Sequence, residues 1–333
     1  MKKLGFLGFG RIGRIHASVI SSTLAKSLEI AGISCNTEDD AQTAESMFPQ
    51  VPRHSNPASL LADPAIDAVL VVTPTIYQVD YVRAALEKGK HVFVEKPVSL
   101  DVASLTGLHD FHKNHAPELQ VHVGFNRRYR PAFSNIKDQL PQLEGIHQVR
   151  ITSRDPALPK EEYLAKSGGI FKDMIIHDFD LSCFLSGSRA KEVHALGGVL
   201  IDDMFKRHND FDTILVNMRM ENGTLCNIDG SRRASYGHDM RAEVHGLRGK
   251  VFNLHESKTE AVVARKDGFV HDRLNDDMLV LNRVSLERQW KAFSENLVSG
   301  SVPVGLEDAR NALLMAEAAH KSATEDKLIT VEY

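Results

Sequence analysis

The chain has 333 residues, which is long enough for two domains of ordinary size, each with its own hydrophobic core. Its 42% hydrophobic and 25% charged residues are the proportions of a soluble globular protein. A formal net charge of −4 gives no electrostatic reason to expect a nucleic acid or an anionic membrane as a partner.

The first third of the sequence alternates strand-like and helix-like segments. Short apolar runs predict buried strands, and longer amphipathic stretches predict helices. The predicted strands are residues 4–9, 28–34, 68–72, 91–94 and 120–123, and the predicted helices are residues 12–24, 37–47, 77–88 and 102–113, the last with Asp101 as its N-cap. This alternation predicts an α/β domain over residues 1–123, in which a doubly wound parallel sheet has helices on both faces.

The pattern changes after Gly124, where strand-like runs separated by polar turns become more frequent. The predicted strands are residues 147–153, 192–200, 212–220, 224–229 and 240–245, and the predicted helices are residues 132–140, 170–185, 285–298 and 306–322. We therefore predict a second domain over residues 124–333, of α+β class with a mostly antiparallel, open sheet. The only tryptophan, Trp290, is expected in the core between the two closing helices.

A glycine-rich turn, G-x-G-x-x-G, directly follows the first predicted strand and opens the first helix. Glycines here permit a tight turn, close approach of the backbone to a pyrophosphate, and close packing of the helix on the strand. A plain glycine turn is the alternative, but the position within a βαβ pattern predicts a dinucleotide-binding Rossmann domain. The predicted cofactor-binding residues are Gly8, Gly10, Arg11, Ile12, Gly13, Asn36, Thr73, Pro74, Glu95 and Lys96.

The choice between NAD and NADP depends on the end of the second predicted strand. An acidic residue is expected there if the ribose hydroxyls of NAD are to be bound, but the position holds Asn36. The next residues include Glu38, Asp39 and Asp40 and no cation that would receive a 2′-phosphate. We therefore expect NAD as the cofactor, with NADP as the open alternative.

Glu95-Lys96-Pro97 follows directly on the predicted strand at residues 91–94. Residues at the carboxyl end of a parallel strand face the crevice in which ligands bind in this architecture. A lysine there can donate a hydrogen bond to a reacting hydroxyl and stabilise its developing negative charge. A surface lysine in a proline-ended loop is the alternative.

A second motif lies in the predicted helix at residues 170–185. At 100° per residue, Asp173, His177 and Asp180 fall within one narrow stripe, whereas Asp178 lies on a different face. A histidine with a carboxylate one turn before it is suited to act as a general base. Acidic residues that complement the helix dipole beside a hydrogen-bonded histidine are the alternative interpretation.

Together, the strings GFGRIG, EKP and GGIFKDMIIHDFD resemble the glucose–fructose oxidoreductase and inositol dehydrogenase family, Gfo/Idh/MocA. GFNRRY from residue 124 and SRRASYGHDMRAEVHG from residue 231 are similar to its inositol dehydrogenase branch. The resemblance runs from residue 5 to about residue 246, with a looser similarity in the tail.

The resemblance implies an NAD(P)-dependent oxidoreductase that oxidises a ring hydroxyl of a polyol, with myo-inositol and its 2-keto product as the expected pair. It implies Lys96, Asp173 and His177 as catalytic residues that also bind substrate, so no metal is required. It implies further substrate contacts from Asn126, Arg127, Asp180 and Tyr236. It also implies a homo-oligomer, a tetramer or a dimer, built on the open face of the second domain's sheet.

Two departures from the family pattern keep alternatives open. Asn36 stands where an acidic residue is usual, and Arg130 stands where the inositol branch usually has Asp. An added cation near the substrate would suit a different or an acidic substrate. The alternatives are a related sugar or sugar-acid dehydrogenase or reductase of the same family, and a non-catalytic NAD-binding regulator.

Other histidines and the cysteines do not indicate a metal or disulfide protein. His109, His112 and His115 recur at helical spacing with His122 nearby, and we expect an exposed face there. The three cysteines are far apart, without a C-x-x-C pair, and no apolar run approaches membrane-spanning length. We therefore expect a cytoplasmic protein.

Overall fold

The structure, a computed structural model, describes residues 1–259, 261–300 and 302–333. Its strands are β1 (Lys2–Leu7), β2 (Leu28–Ser34), β3 (Arg53–His54), β4 (Ala68–Val71), β5 (His91–Val94), β6 (Val121–Val123), β7 (Ile146–Arg154), β8 (Ala190–Gly198), β9 (Thr213–Met220), β10 (Leu225–Ser231), β11 (Asp239–Gly246), β12 (Gly249–Phe252), β13 (Val262–Arg265), β14 (Gly268–His271) and β15 (Ile329–Thr330). Its helices are α1 (Arg11–Thr23), α2 (Glu38–Met47), α3 (Pro57–Leu61), α4 (Gln78–Glu87), α5 (Val102–His115), α6 (Pro131–Gln139), α7 (Glu161–Ser167), α8 (Gly169–Asp173), α9 (Ile176–Ser186), α10 (Met204–Arg207), α11 (Met278–Ser299) and α12 (Leu306–Glu325).

The backbone contacts divide the chain into two compact units. The first unit consists of residues 1–129 and 283–310, and the second unit consists of residues 130–282 and 311–333. The sequence pattern predicted a single domain after residue 123. The structure differs in residues 124–129 and 283–310, which belong to the first unit.

The first unit contains the predicted parallel sheet. Within the described residues, six strands pair in the order β3-β2-β1-β4-β5-β6, and every pair is parallel. The central strand β4 reads AVLV and is buried along its whole length, as expected for a strand covered on both faces. The structure confirms the predicted α/β fold of this part of the chain, and Asp101 caps α5 by accepting a hydrogen bond from the Ser104 amide.

Helix α11 belongs to the first unit from Arg283 onward, because its apolar side chains complete the core there. Trp290 is fully buried and stacks on Phe93 of β5, with ring centroids 4.3 Å apart. Phe293 packs edge-on against both rings. The expectation that Trp290 lies between the two closing helices is therefore wrong, since its partner is a strand of the parallel sheet.

The second unit contains a mixed sheet. Seven strands of the described chain pair in the order β12-β11-β7-β10-β9-β8-β15, and only the β7–β10 pair among them is parallel. Residues along β9 alternate between buried and exposed, so one face of the sheet is in the core and the other is open. The predicted α+β class with a mostly antiparallel open sheet is confirmed.

The prediction of one helix over residues 170–185 is wrong in its continuity. Helix α8 ends at Asp173 and α9 begins at Ile176. Between them the Ile175 amide donates to the Ile170 carbonyl, five residues earlier, at 2.9 Å. This bond makes one wide turn of π-helical type, which no apolar periodicity reveals.

The short elements α3, α7 and α10, the two-residue strands β3 and β15, and the hairpin of β13 and β14 were not predicted. Each is too short to show a clear period in the sequence. No helix in the described ranges is long and apolar enough to cross a membrane.

Candidate active site

The turn between β1 and α1 needs glycine at two positions. Gly8 has φ +101°, and a Cβ there would lie 2.8 Å from the Val72 carbonyl oxygen. A Cβ at Gly13 would lie 3.0 Å from the Gly8 carbonyl oxygen and 3.2 Å from the Val72 side chain. Because glycine has no Cβ, the start of α1 can lie close to the backbone that follows β4, as the glycine motif predicts.

The N-terminus of α1 fits the pyrophosphate of a dinucleotide. A Cβ at Gly10, the N-cap, would meet no atom within 4 Å, so the backbone there borders open space that a ligand can occupy. No described side chain caps the helix, and its first turn, which includes Arg11 and Ile12, contains no acidic residue. The buried Thr73 hydroxyl, next to this turn, has no hydrogen-bond partner among the described residues. Free amides, a favourable helix dipole and an unused hydroxyl together suit a bound anion.

The acidic segment after β2 is tied to α1 by an ion pair. Asn36 is exposed just beyond the strand, and Thr37 caps α2. Arg14 reaches this segment from α1: its guanidinium lies 2.6 Å from an Asp40 carboxylate oxygen and 3.4 Å from one of Asp39. The charge of Arg14 is therefore compensated by this segment, which disfavours a 2′-phosphate there.

Two pairs of predicted site residues stand at the same edge of the parallel sheet. Strands β4 and β5 end at register-paired residues, and each is followed by such a pair, Thr73-Pro74 and Glu95-Lys96. The Lys96–Pro97 peptide is cis. The Lys96 amide donates to the Glu95 carboxylate at 3.2 Å, so the backbone at the lysine is anchored by its own neighbour.

In the second unit, Asp173 is buried and held by two donors. The Tyr163 hydroxyl donates to one carboxylate oxygen at 2.7 Å, and Arg232 donates to the other at 2.9 Å. The Asp173–Arg232 pair is almost fully removed from solvent. Such a pair holds the carboxylate in one orientation.

The other residues of the predicted stripe lie in α9. Asp180 is buried and His177 is half-buried, and Asp178, which was predicted to face elsewhere, is also buried. The premise of a uniform 100° per residue does not hold between Asp173 and His177, because the wide turn separates them. Asp173, His177 and Asp180 thus lie along one short segment, which is interrupted at residues 174–175 between the two helices.

The remaining predicted substrate contacts are distributed over both units. In the first unit, Asn126 and Arg127 lie in a 3-10 turn after β6, where Arg127 is buried. In the second unit, Tyr236 is 44% exposed, and its hydroxyl donates to Asp239 at 2.9 Å and accepts from Arg154 at 3.1 Å. Partial burial and the Asp239 carboxylate raise the pKa of Tyr236, so it remains a neutral hydrogen-bonding group.

Arg130, the unusual cation of the sequence, is buried and paired. Its guanidinium donates to Glu256 at 2.5 Å and lies 5.9 Å from the centre of the Phe133 ring. Its charge is therefore compensated within the second unit.

One histidine of the group at residues 109–122 departs from the expected exposed face. His122 is buried and stacks on Phe93, with ring centroids 5.1 Å apart. Burial, with a smaller contribution from Arg128, lowers the pKa of His122 to about 3, so this ring is neutral. Within the described residues, no group of three or more His, Cys, Asp or Glu side chains is arranged to hold a metal.

Sequence reasoning missed the residues that hold the predicted ones. Arg232 and Tyr163 bind Asp173, and His16 binds Glu95 at 2.7 Å. His16 gave one signal, since it lies at helical spacing among the apolar residues of α1, where a polar side chain needs a partner. Arg232 belongs to the SRRA string, but nothing in the string distinguishes it from Arg233.

Models of one protein family match both parts of the chain. The model of an oxidoreductase family with an NAD-binding Rossmann fold, GFO/IDH/MocA, matches residues 2–125. The model of the GFO/IDH/MocA C-terminal domain matches residues 143–252. The two matches cover most of the chain and agree with the parallel sheet of the first unit and the mixed sheet of the second.

Individual relatives extend this similarity to the whole length. The myo-inositol 2-dehydrogenase of Thermotoga maritima is 36% identical over 333 residues, 99% of this chain and 98% of that protein. The NAD(+)-dependent scyllo-inositol 2-dehydrogenase of Bacillus subtilis is 34% identical over 252 residues, 74% of this chain and 72% of that protein. The crystal structure of a myo-inositol dehydrogenase from Corynebacterium glutamicum has a TM-score of 0.93 at 28% identity, covering 100% of this chain and 99% of that one.

The ion pair between Arg14 and the acidic segment predicts a change in cofactor preference. Replacing Asp39 and Asp40 together with asparagine releases the Arg14 guanidinium for a 2′-phosphate. A charge-assisted hydrogen bond of about 1.5–3 kcal/mol would raise kcat/KM for NADP relative to NAD by at least about tenfold. Steady-state kinetics with both dinucleotides measure this ratio. Glu45→Gln, which removes a carboxylate from the same helix, is the control, and an equal ratio in both variants would contradict the prediction.

The buried pair of Asp173 and Arg232 predicts a loss of stability when the cation is removed. Arg232→Met leaves a carboxylate without its buried counter-ion, which costs about 3–5 kcal/mol in comparable cases. Urea unfolding followed by circular dichroism measures the loss. The exposed neighbour offers a matched control, Arg233→Met, for which we expect little change. Equal midpoints for the two variants would show that Arg232 does not act as a buried counter-ion.

Proposed function

Given that this chain belongs to the GFO/IDH/MocA family of oxidoreductases, we propose that it oxidises a ring hydroxyl of a polyol with NAD. The expected substrate is myo-inositol, and the expected product is the 2-keto compound, scyllo-inosose. The observation that carries the proposal is the presence, in one chain, of a dinucleotide cradle at α1, a lysine after β5 and a buried acid followed by a histidine at α8–α9.

Each step of the reaction is assigned to a residue of the chain. His177 accepts the proton of the reacting hydroxyl, and the Asp173 carboxylate stabilises the imidazolium that results. The Lys96 ammonium donates a hydrogen bond to the same oxygen as negative charge develops on it. NAD bound at the N-terminus of α1 would supply the acceptor for the hydride that leaves the carbinol carbon with its electron pair. The C–H and O–H bonds break, a C=O bond forms, and one proton is released.

A neutral polyol is favoured over a sugar acid by the pairing of Arg130. In the sequence, this arginine is the specific feature that suggests an acidic substrate. Its guanidinium is buried against Glu256 and so carries no uncompensated charge that would select a carboxylate. The names of the relatives in Thermotoga maritima and Bacillus subtilis point to inositols in the same direction.

We propose that the ring hydroxyls that do not react are bound by Asp180, Tyr236, Asn126 and Arg127. Tyr236 suits this role because its exposed hydroxyl already lies between a donor and an acceptor. Asp180 is a buried acceptor one helical turn after His177. Hydroxyls of a polyol both donate and accept, so a mixed set of such groups suits them.

We also propose that the chain forms a homo-oligomer, a tetramer or a dimer, through the open face of the second unit's sheet. Leu196 of β8 and Leu215 of β9 are register partners on that face, and they are 50% and 47% exposed. Adjacent exposed leucines on a flat sheet are typical of a surface that pairs with another. A cytoplasmic location is part of the same proposal, supported by three cysteines that are far apart in the sequence and form no C-x-x-C pair.

The first measurement is NADH formation by the purified protein with a panel of polyols. The panel contains myo-, scyllo- and chiro-inositol, glucose and a sugar acid, each with NAD and with NADP. We expect the highest kcat/KM with NAD and an inositol. Lys96→Met and His177→Ala should each lower kcat by at least about 100-fold, the usual cost of removing a general base or acid.

Other outcomes select other functions. Activity with a sugar or a sugar acid alone would keep the mechanism and replace the substrate. Binding of NAD, measured by calorimetry, without turnover of any compound would support a non-catalytic regulator. Near-normal kcat in both variants would reject the catalytic assignment.

The oligomer prediction is tested by placing charge on the open face. Leu196→Glu with Leu215→Glu should reduce the molar mass measured by light scattering to that of a single chain, because like charges would meet across the interface. Met47→Glu, an exposed position in the first unit, is the control. An unchanged mass in the double variant would exclude this face as the interface.

A further inference from the structure

A continuous line of buried hydrogen bonds leads to Lys96 from the far end of the sequence. The Trp290 indole N–H donates to His16 Nδ1 at 2.8 Å, and His16 Nε2 lies 2.7 Å from Glu95 Oε1. The other oxygen of Glu95 accepts from the Lys96 amide at 3.2 Å. Trp290 and His16 are fully buried, and the Glu95 side chain is 17% exposed. All four residues belong to the first unit.

The direction of every bond in this line is determined by the tryptophan. An indole N–H can only donate, so His16 Nδ1 must carry a lone pair. The proton of the neutral imidazole is then on Nε2, which donates to Glu95. Phe93 stacks on Trp290 and packs edge-on against His16, at 4.3 Å and 5.5 Å between ring centroids, so the imidazole has no room to turn over.

Gly124 confines the Glu95 carboxylate from another side. A Cβ at Gly124 would lie 2.9 Å from the carboxylate carbon and from both oxygens. The Gly124 amide donates to the Val94 carbonyl at 2.8 Å, so this backbone is itself fixed to the end of β5. The carboxylate therefore lies against bare backbone, between two donors that occupy both of its oxygens.

Packing alone does not call for this arrangement. A carboxylate facing a buried imidazole pays a desolvation cost that apolar residues of similar volume would avoid. What the polar line provides is a unique orientation, because each group has one partner and one direction of donation. Its last member is the backbone of the residue to which the proposed function assigns hydrogen bonding to the reacting oxygen.

We propose that Trp290, His16 and Glu95 are positioning residues that set the backbone of Lys96 and thereby aim its ammonium. This inference rests on the proposed function, in which Lys96 is catalytic. It goes beyond that function, since it assigns a role to His16 and Trp290, which are in neither the glycine motif nor the EKP motif. Small displacements of a catalytic group lower kcat by about 10- to 100-fold without removing the group.

The central test exploits the asymmetry of an amide. In Glu95→Gln the side chain has one acceptor and one donor, but it faces two donors, His16 Nε2–H and the Lys96 amide. One of the two must meet the NH₂ group, whichever way the amide turns. His16 cannot relieve this conflict by moving its proton to Nδ1, because the indole N–H of Trp290 faces that nitrogen.

A second substitution removes the obstacle. In Glu95→Gln with Trp290→Phe, His16 can carry its proton on Nδ1 and accept from the glutamine NH₂ through Nε2. The glutamine oxygen then accepts from the Lys96 amide as before, and the hydrogen bond between residues 16 and 95 is restored with its direction reversed. We expect kcat to fall about 10- to 100-fold in Glu95→Gln with little change in the polyol KM, and to recover in the double variant.

Two further measurements separate positioning from general damage. Nitrogen-15 NMR of histidine-labelled apo protein should report His16 as the Nε2–H tautomer in the wild type and as the Nδ1–H tautomer in the double variant. Phe293→Leu disturbs the same core but not the polar line, and it should lower the melting temperature while leaving kcat unchanged. Gly124→Ala, which displaces the Glu95 carboxylate without replacing any hydrogen-bonding atom of the line, should reproduce the loss of kcat and covers the case in which Glu95→Gln does not fold.

The outcomes distinguish this inference from the proposed function. A wild-type kcat in Lys96→Met would overturn both. A large loss in Lys96→Met together with normal kcat in Glu95→Gln and Gly124→Ala would overturn the positioning chain alone. A double variant no better than Glu95→Gln would also overturn it, because independent structural damage accumulates rather than cancels.

Discussion

The first unit depends on the contact between Phe93 and Trp290. Phe93 lies within β5, whose carboxyl end leads to Glu95 and Lys96, and Trp290 comes from α11. Both rings are fully buried, with planes only 15° apart. The same two rings enclose His16, so one aromatic cluster supports the strand, the helix that carries the glycine motif and the polar line to the lysine. Loss of either of these two rings would therefore weaken the support of the strand end that leads to Glu95 and Lys96.

One buried carboxylate in each unit follows the same physical rule. Glu95 in the first unit and Asp173 in the second are carboxylates removed from most solvent, and in each both oxygens accept hydrogen bonds from defined donors. Charges in the interior cost free energy unless hydrogen bonds compensate for it. The return is a single orientation of each carboxylate, and Glu95 in turn anchors the backbone of Lys96. Catalysis by hydride and proton transfer requires that precision of placement more than it requires extra stability.

The sequence was sufficient to predict the architecture, and it did not reveal the residues that hold the motif residues in place. Strands β2 and β5 coincide with the predicted residues 28–34 and 91–94, because continuous apolar runs bounded by turns have few alternative readings. The glycine motif predicted the cradle, since its spacing encodes a local backbone geometry. The wide turn after Asp173 and the partners His16 and Arg232 escaped, since they depend on which distant segments the fold brings together. The placement of Trp290 was wrong for the same reason.

The division of the first unit into two stretches of sequence has a consequence for its folding during synthesis on the ribosome. Residues 1–129 emerge first, but the helix that supplies Trp290 and Phe293 emerges only after residues 130–282. At about 5–20 residues per second, the nascent parallel sheet waits on the order of ten seconds with an uncovered aromatic surface around Phe93. During that interval the chain is a natural client for chaperones that shield exposed apolar surface. Slow codons between the two stretches would lengthen this delay and lower the yield of folded protein, although the amino-acid sequence would be unchanged.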